Sequence, residues 1–237
     1  MDYYYQPDVE HSYEVLQTLE KVYGHLIGKL NFNPIIVTRG AYSNYNIDND
    51  CVSDDKYCIN NPKQKGLKGK DVVTESIRQK CVFNINPEYF FKYMKKFQSK
   101  CLDSFKEECS KNVANELSIS WDKIQTCYQS SFTNGLNSDN KILHKDMQKT
   151  RMISNKMYPL ILINEYTYEG SIEVNDILLS LCSTLNTETS QCKNIKFDLD
   201  ESVTSIELVI IDLSIIVLGL VLAIIVCKKV AKKRYQR

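Results

Sequence analysis

Cys51, Cys58, Cys81, Cys101, Cys109, Cys127, Cys182 and Cys192 all precede an apolar run at 208–227 that is interrupted only by Asp212, Ser214 and Gly219. That run matches the ~20 residues needed to cross a bilayer. Lys228, Lys229, Lys232, Lys233, Arg234 and Arg237 follow it at once. A basic flank of this kind stays on the cytosolic or matrix side, so the cysteines are expected on the opposite, luminal or intermembrane-space side. An even cysteine set in such a compartment predicts four disulfides rather than free thiols. Zinc is the competing use of cysteine. No Cys-x-x-Cys occurs, and histidine is present only as His11, His25 and His144, so no metal site is expected. Cys227, at the inner edge of the span, reads as a packed residue rather than a palmitoylation site.

Other classes are excluded on simple grounds. A formal net charge of +1 leaves no electrostatic footprint for nucleic acid. The segment Gly66-Leu67-Lys68-Gly69-Lys70-Asp71 invites a phosphate-loop reading, but Gln64 stands where the first glycine is required and Asp71 where a magnesium-binding Ser or Thr is required. No nucleotide and no cofactor is therefore expected. No histidine lies beside a candidate nucleophile and no carboxylates cluster in a catalytic motif, so an enzyme is not expected. The first residues carry no basic and apolar leader, and no Asn-x-Ser/Thr sequon occurs. Two routes follow: the sequence is a piece of a longer precursor, or the chain reaches an oxidising compartment without a signal peptide.

Along the chain, residues 1–70 read as strand, helix, strand and a cysteine-bearing loop. Residues 2–5 are an aromatic strand candidate. Val9, Tyr13, Leu16, Leu19, Tyr23 and Ile27 hold helical spacing up to Gly28, and Asn33-Pro34 introduces a strand over 35–38. This βαβ order predicts a parallel pair. Cys51 and Cys58 suggest a loop stapled to itself. Residues 71–156 read as a helical insertion and connecting loop. Asn86-Pro87 is a cap followed by a first-turn proline, and Ser120 caps the helix holding Trp121, Ile124 and Cys127. Cys81, Cys101, Cys109 and Cys127 fall on or beside successive apolar stripes, which suits stapling rather than chemistry. Three pairings are open among them, of which Cys101 with Cys109 and Cys81 with Cys127 is preferred. A short helix is expected around 142–147.

Residues 157–192 read as a hairpin and helix. Pro159 opens the apolar strand Leu160–Ile163 and a second short strand runs to Gly170. Ser171 then caps a helix with Ile172, Ile177, Leu178 and Leu181 on one stripe. Cys182 with Cys192 completes the disulfide set, 193–207 is an acidic linker, 208–227 the span and 228–237 the basic tail. Asp212 within the span reads as a contact to a protein partner, because an intramembrane carboxylate seldom faces lipid; the other reading is a position near the outer interface.

The order proline, strand, tight turn, strand, glycine, helix resembles the C-terminal half of a thioredoxin-like domain, in which the matching proline is cis. The expected fold is thus α/β: a thioredoxin-like sheet with an inserted disulfide-stapled helical subdomain, plus one C-terminal transmembrane helix. A redox-active member would carry Cys-x-x-Cys between the first strand and its helix, where this chain has Gln6-Pro7-Asp8-Val9. Without a thiolate there is no disulfide exchange.

Several motifs together resemble one family. Tyr57-Cys58, Gly69-Lys70-Asp71-Val72-Val73, Arg78-Gln79-Lys80-Cys81-Val82-Phe83, Asp122-Lys123-Ile124 with Cys127, and Pro159-Leu160-Ile161-Leu162-Ile163-Asn164 with Tyr168-Glu169-Gly170 are similar to the central luminal region of vacuolar sorting receptors. The resemblance implies a type I membrane protein that carries soluble cargo to vacuoles or lysosomes. The family's protease-associated domain, which contributes to cargo binding, and its calcium-binding EGF-like repeats have no counterpart in this sequence. Two functions are therefore expected in turn. The first is a redox-inactive, endomembrane, sorting-receptor-like module that binds cargo proteins. The alternative is an accessory subunit of a large membrane complex, such as one of the mitochondrial inner membrane.

Overall fold

The computed structural model describes residues 1–42, 46–60, 62, 66–153, 157–184 and 192. The expectations for the linker, the span with Asp212, Cys227 and the basic tail lie outside the described residues. No described helix is long and apolar enough to cross a membrane. Met1–Cys192 form one compact unit.

Its centre is a four-stranded mixed sheet in the order β2-β1-β5-β6. β1 (Asp2–Tyr5) and β2 (Asn33–Ile36) run parallel, joined by α1 (Glu10–His25). β5 (Leu160–Ile163) runs antiparallel to β1, and β6 (Tyr166–Thr167) antiparallel to β5. The Tyr158–Pro159 peptide that enters β5 is cis. Asn164 and Glu165 turn the hairpin, both at positive φ (49° and 71°), the conformation that a two-residue turn of this hand requires.

The tyrosine triplet of β1 shows how alternation distributes the core. Tyr3 and Tyr5 point to one face, fully buried, and stack with ring centroids 5.6 Å apart. Their hydroxyls are satisfied: Tyr3 donates to the Ser12 carbonyl of α1 at 2.6 Å, and Tyr5 donates to Gln79 Oε1 at 3.3 Å. Tyr4 points the other way, into a smaller cluster of Ile35, Val37, Leu160 and Leu162, with Ile153 and Tyr158 packed against it.

Between β2 and β5 lie the remaining elements: α2 (Ile47–Asp50), a hairpin of β3 (Cys51–Val52) and β4 (Tyr57–Cys58), and the helices α3 (Gly69–Ile85), α4 (Pro87–Cys101), α5 (Glu107–Glu116), α6 (Trp121–Ser130) and α7 (Lys141–Arg151). α8 (Val174–Ser183) follows the sheet. Disulfides join Cys51 to Cys58, Cys81 to Cys127, Cys101 to Cys109 and Cys182 to Cys192. Of the three pairings open among the helical cysteines, the molecule has the one that ties α3 to α6 and α4 to α5. Phe32, Phe83, Phe90, Phe91 and Tyr23 form a connected aromatic cluster where α1, α3 and α4 meet.

α3 is the pivot of the insertion. Residues 75–82 are buried on every side of the helix, which explains why the sequence shows no clean apolar stripe there. Gly69 opens it because a Cβ at that position would lie 1.7 Å from the Ile59 carbonyl oxygen; the glycine serves close approach of two backbones, not a phosphate. A helix buried all round must pair its polar groups. Glu75, fully buried, accepts from the Tyr93 hydroxyl at 2.8 Å and the Ser110 hydroxyl at 2.6 Å, and lies 3.6 Å from Arg78. The Arg78 guanidinium also reaches Glu107 and lies over the rings of Trp121 and Tyr128. One carboxylate and one guanidinium thus hold α3, α4, α5 and α6 together.

Burial pushes the Glu75 carboxyl up, against the pull of Arg78, Ser110 and Tyr93. The folded state therefore keeps this proton to higher pH than the unfolded chain does. The contribution to stability is full below the ordinary glutamate range and is lost as pH rises through the raised folded value. Urea denaturation of wild type and Glu75→Gln is expected to show the stability difference, wild type minus variant, falling as pH rises from the ordinary carboxylate range to neutrality. A pH-independent difference refutes the assignment.

Several element boundaries depart from the sequence reading. α1 ends at His25, the turn passes through Gly28 at φ 72°, and Ile27 is exposed rather than part of the buried stripe. β2 begins at Asn33 and includes Pro34, two residues earlier than expected. α7 extends to Arg151. α8 starts at Val174, with no side-chain cap, because Ser171 is held outside it: the Tyr168 hydroxyl donates to the Ser171 carbonyl at 2.6 Å.

Candidate functional site

In an α/β sheet the open ends of parallel strands are where ligands collect. Here that end is defined by the register. Tyr5 pairs with Ile36, and the Val37 amide still donates to the Tyr5 carbonyl at 3.0 Å, so Thr38 is the first residue beyond β1. Tyr4 pairs with Leu160, so the cis Tyr158–Pro159 peptide lies at this same end. The N-terminus of α1 also opens here, on Gln6-Pro7-Asp8-Val9, where the Tyr13 hydroxyl donates to the Pro7 carbonyl at 2.7 Å and no cysteine is present.

A groove of about 320 Å³ opens between the chain leaving β2 and the last turns of α7. Thr38, Arg39, Gly40, Ala41 and Tyr42 form one wall; Met147, Thr150 and Arg151 form the other, and Tyr158 closes the end beside the proline. It continues past Gly40 and Met147 into a second depression of about 400 Å³ that adds Asp55, Lys56, Tyr57, Asp139, His144 and Gln148.

Local structure explains why this wall is fixed. Arg39 bridges Cys58, its amide donating to the Cys58 carbonyl at 3.1 Å and its carbonyl accepting from the Cys58 amide at 2.7 Å. The Cys51–Cys58 bridge thus staples the β3–β4 hairpin and, through it, the groove wall. The Ala41 amide donates to the Asp55 carbonyl at 2.8 Å. On the far side, Asp139 accepts from the Tyr57 hydroxyl at 2.6 Å and lies 3.6 Å from Lys56 and 3.7 Å from His144. The Tyr57 hydrogen bond, with Lys56 and His144 behind it, holds the Asp139 carboxyl below its usual range.

Other expected site residues fall elsewhere. Cys81–Cys127 and Cys101–Cys109 lie in the helical insertion, and Cys182–Cys192 follows α8. Among the described residues expected at a site, the structure brings only Cys51, Cys58 and Pro159 toward the groove. The lining residues Thr38, Arg39 and Arg151 were not legible from spacing. Their signal is weak: an arginine directly after an apolar strand, and another at a helix end.

A parallel βαβ pair extended by an antiparallel hairpin, with a cis proline opening the third strand of the sheet, defines a thioredoxin-like domain, here without the Cys-x-x-Cys at its first helix. Residues 16–182 match the vacuolar sorting receptor thioredoxin-like domain. The chain belongs to the vacuolar sorting receptor family. Among curated relatives, vacuolar-sorting receptor 1 of Pisum sativum is 26% identical over 172 residues, covering 65% of this chain and 27% of the receptor. Vacuolar-sorting receptor 5 of Arabidopsis thaliana is 28% identical over 169 residues, covering 64% of this chain and 27% of that receptor. The chain thus spans little more than a quarter of the length of the curated relatives it matches.

Proposed function

We propose that this chain is a single-pass membrane protein whose thioredoxin-like domain, on the luminal side of an endomembrane, binds other proteins in the manner of a sorting receptor and catalyses no redox reaction. The observation that carries the reading is the end of the sheet beside Pro159. The position of the reactive thiols holds Gln6-Pro7-Asp8-Val9, while an open groove remains next to the cis peptide. A scaffold without a thiolate at that position cannot exchange disulfides, and the groove beside it supports a binding role. Family membership and the four disulfides support a compartment outside the reducing cytosol. The apolar run at 208–227 with its basic flank supplies the anchor. The accessory-subunit alternative draws no support from the relatives.

One experiment tests both halves. The tagged full chain, cross-linked in native membranes and purified, is expected to carry soluble proteins in substoichiometric amounts, and the chain purified without cross-linking is expected to reduce insulin disulfides no faster than the reductant alone. Stoichiometric membrane subunits in place of soluble proteins would overturn the receptor reading. Insulin reduction above background would overturn the loss of redox chemistry.

A further inference from the structure

We propose that the groove between Thr38–Tyr42 and α7 binds the carboxylate of an extended peptide, with Arg39 and Arg151 as its cationic clamp and the Thr38 hydroxyl as an additional donor; this assignment rests on the protein-binding reading above and names the chemistry of its ligand.

The charge balance of the groove is the first observation. Its described lining contains two guanidiniums and no carboxylate. Neither Arg39 nor Arg151 forms an ion pair among the described residues, although both are exposed and the surrounding surface pairs its charges closely. Of the two carboxylates in the adjoining depression, Asp55 forms no ion pair with either arginine and Asp139 is held by Tyr57, Lys56 and His144. Both arginines nonetheless act on this region, since the charge of Arg39 is felt at the Tyr158 hydroxyl and that of Arg151 at the Tyr57 hydroxyl.

Thr38 is the second observation and is independent of charge. Its residue is 3% exposed and lines the groove, yet its Oγ1 makes no hydrogen bond among the described residues. A buried hydroxyl without a partner is destabilising, so an acceptor reaching into the groove would recover that loss. A carboxylate oxygen supplies such an acceptor and is also the group that a pair of arginines recognises best, because each presents a planar fork of donors that matches two oxygens. Tyr158 and Tyr42 offer aromatic surface to the residues that flank it. A sulfur-centred substrate, the usual ligand of this end of the fold, would meet neither need.

The carboxylate can belong to an acidic side chain or to a chain terminus, and the test separates them. Two bead-displayed libraries of short random peptides, one ending in an amide and one in a free acid, are panned against the full chain. Enrichment of Asp or Glu from the amidated library assigns a side chain; enrichment confined to the free-acid library assigns a terminus; either supports the proposal. Against an enriched peptide, the variant Arg39→Gln/Arg151→Gln is expected to lose at least about tenfold in affinity and most of its salt dependence. Thr38→Val, nearly the same shape, is expected to lose about two- to tenfold in affinity while its melting temperature rises, because the unpaired hydroxyl is gone. Enriched peptides that lack a carboxylate, or a folded double variant that binds as tightly as wild type, overturn the assignment and leave the protein-binding reading standing. Absence of enrichment from both libraries also overturns it, and the cross-linking experiment then judges the broader reading alone.

Discussion

Lys80→Met is expected to destabilise the protein by about 3–5 kcal/mol, the loss that follows when one partner of a buried ion pair is removed. β2 is an edge strand: only β1 flanks it. Its odd residues serve the ladder, with the Asn33 amide donating to the Met1 carbonyl and the Val37 amide to the Tyr5 carbonyl, both at 3.0 Å. Its even residues face outward, yet this edge is buried, and exposed ladder groups in a buried edge must find partners. Lys80 from α3 donates to the Pro34 carbonyl and to Asn33 Oδ1, and lies 3.4 Å from Asp146 of α7. Asp146 in turn accepts from the Ile36 amide at 2.9 Å. Two side chains therefore replace the missing neighbour strand. Burial pushes the Asp146 carboxyl up and the Lys80 ammonium down, and each opposes the other's shift.

This arrangement distinguishes the pair from an ordinary buried salt bridge. Replacing both members of such a bridge with apolar residues is often neutral. Here Lys80→Met/Asp146→Leu would leave the Pro34 carbonyl and the Ile36 amide without partners, at about 1–3 kcal/mol each. Urea denaturation of the two single variants and the double variant is therefore expected to show all three clearly destabilised. A double variant as stable as wild type would mean that the pair does not serve the strand edge.

Removing the Cys81–Cys127 disulfide by Cys81→Ala/Cys127→Ala is expected to cost about 4 kcal/mol. The bridge closes a separation of 46 residues, for which loop-closure entropy gives that magnitude. Cys101–Cys109 closes only 8 residues, and the same reasoning gives about 2.5 kcal/mol for its loss. The ordering follows from topology alone, because the long bridge joins α3, which contacts the sheet edge, to α6 at the far side of the insertion. Cys81 is also fully buried, so its truncation adds a small cavity loss. Equilibrium unfolding of the two alanine pairs, both under non-reducing conditions, checks the ordering. Equal losses would show that the unfolded chain keeps residual structure around α3.

Much of this architecture is legible in the residues, for reasons that are local. Asn86-Pro87 announces the start of α4, and the Asn86 side chain accepts from the Glu88 amide at 2.7 Å. Ser120 caps α6 in the same way. The Leu160–Ile163 run can only be a buried strand at that length. Where the reading slips, a longer-range contact has won. Ser171 has the chemistry of a cap, but Tyr168 engages its carbonyl and α8 starts later, at Val174, with Glu173 in the cap position. Pro34 looks like a strand breaker, yet it sits at an even position of β2, where its missing N–H faces outward and takes nothing from the ladder.

The groove was less legible because its members are far apart in sequence. Thr38 and Arg39 meet Arg151 only after α7 packs against β2, an arrangement fixed by Asp146 and Lys80, whose charges give no hint of burial in the sequence. The same holds for Glu75 and Arg78. Charged residues inside a helix read as a solvated face, and only a helix surrounded on every side reverses that reading.

The side chains that close β2 also decide how two copies of this domain can meet. An extended segment approaching that margin would find an ammonium and a carboxylate occupying the positions where its own amides and carbonyls would have to zip on. The opposite margin, β6, offers a template only two residues long. Intermolecular sheet growth, the common failure of small α/β proteins held at high concentration, thus has no runway at either boundary, and contact between neighbours is left to side chains.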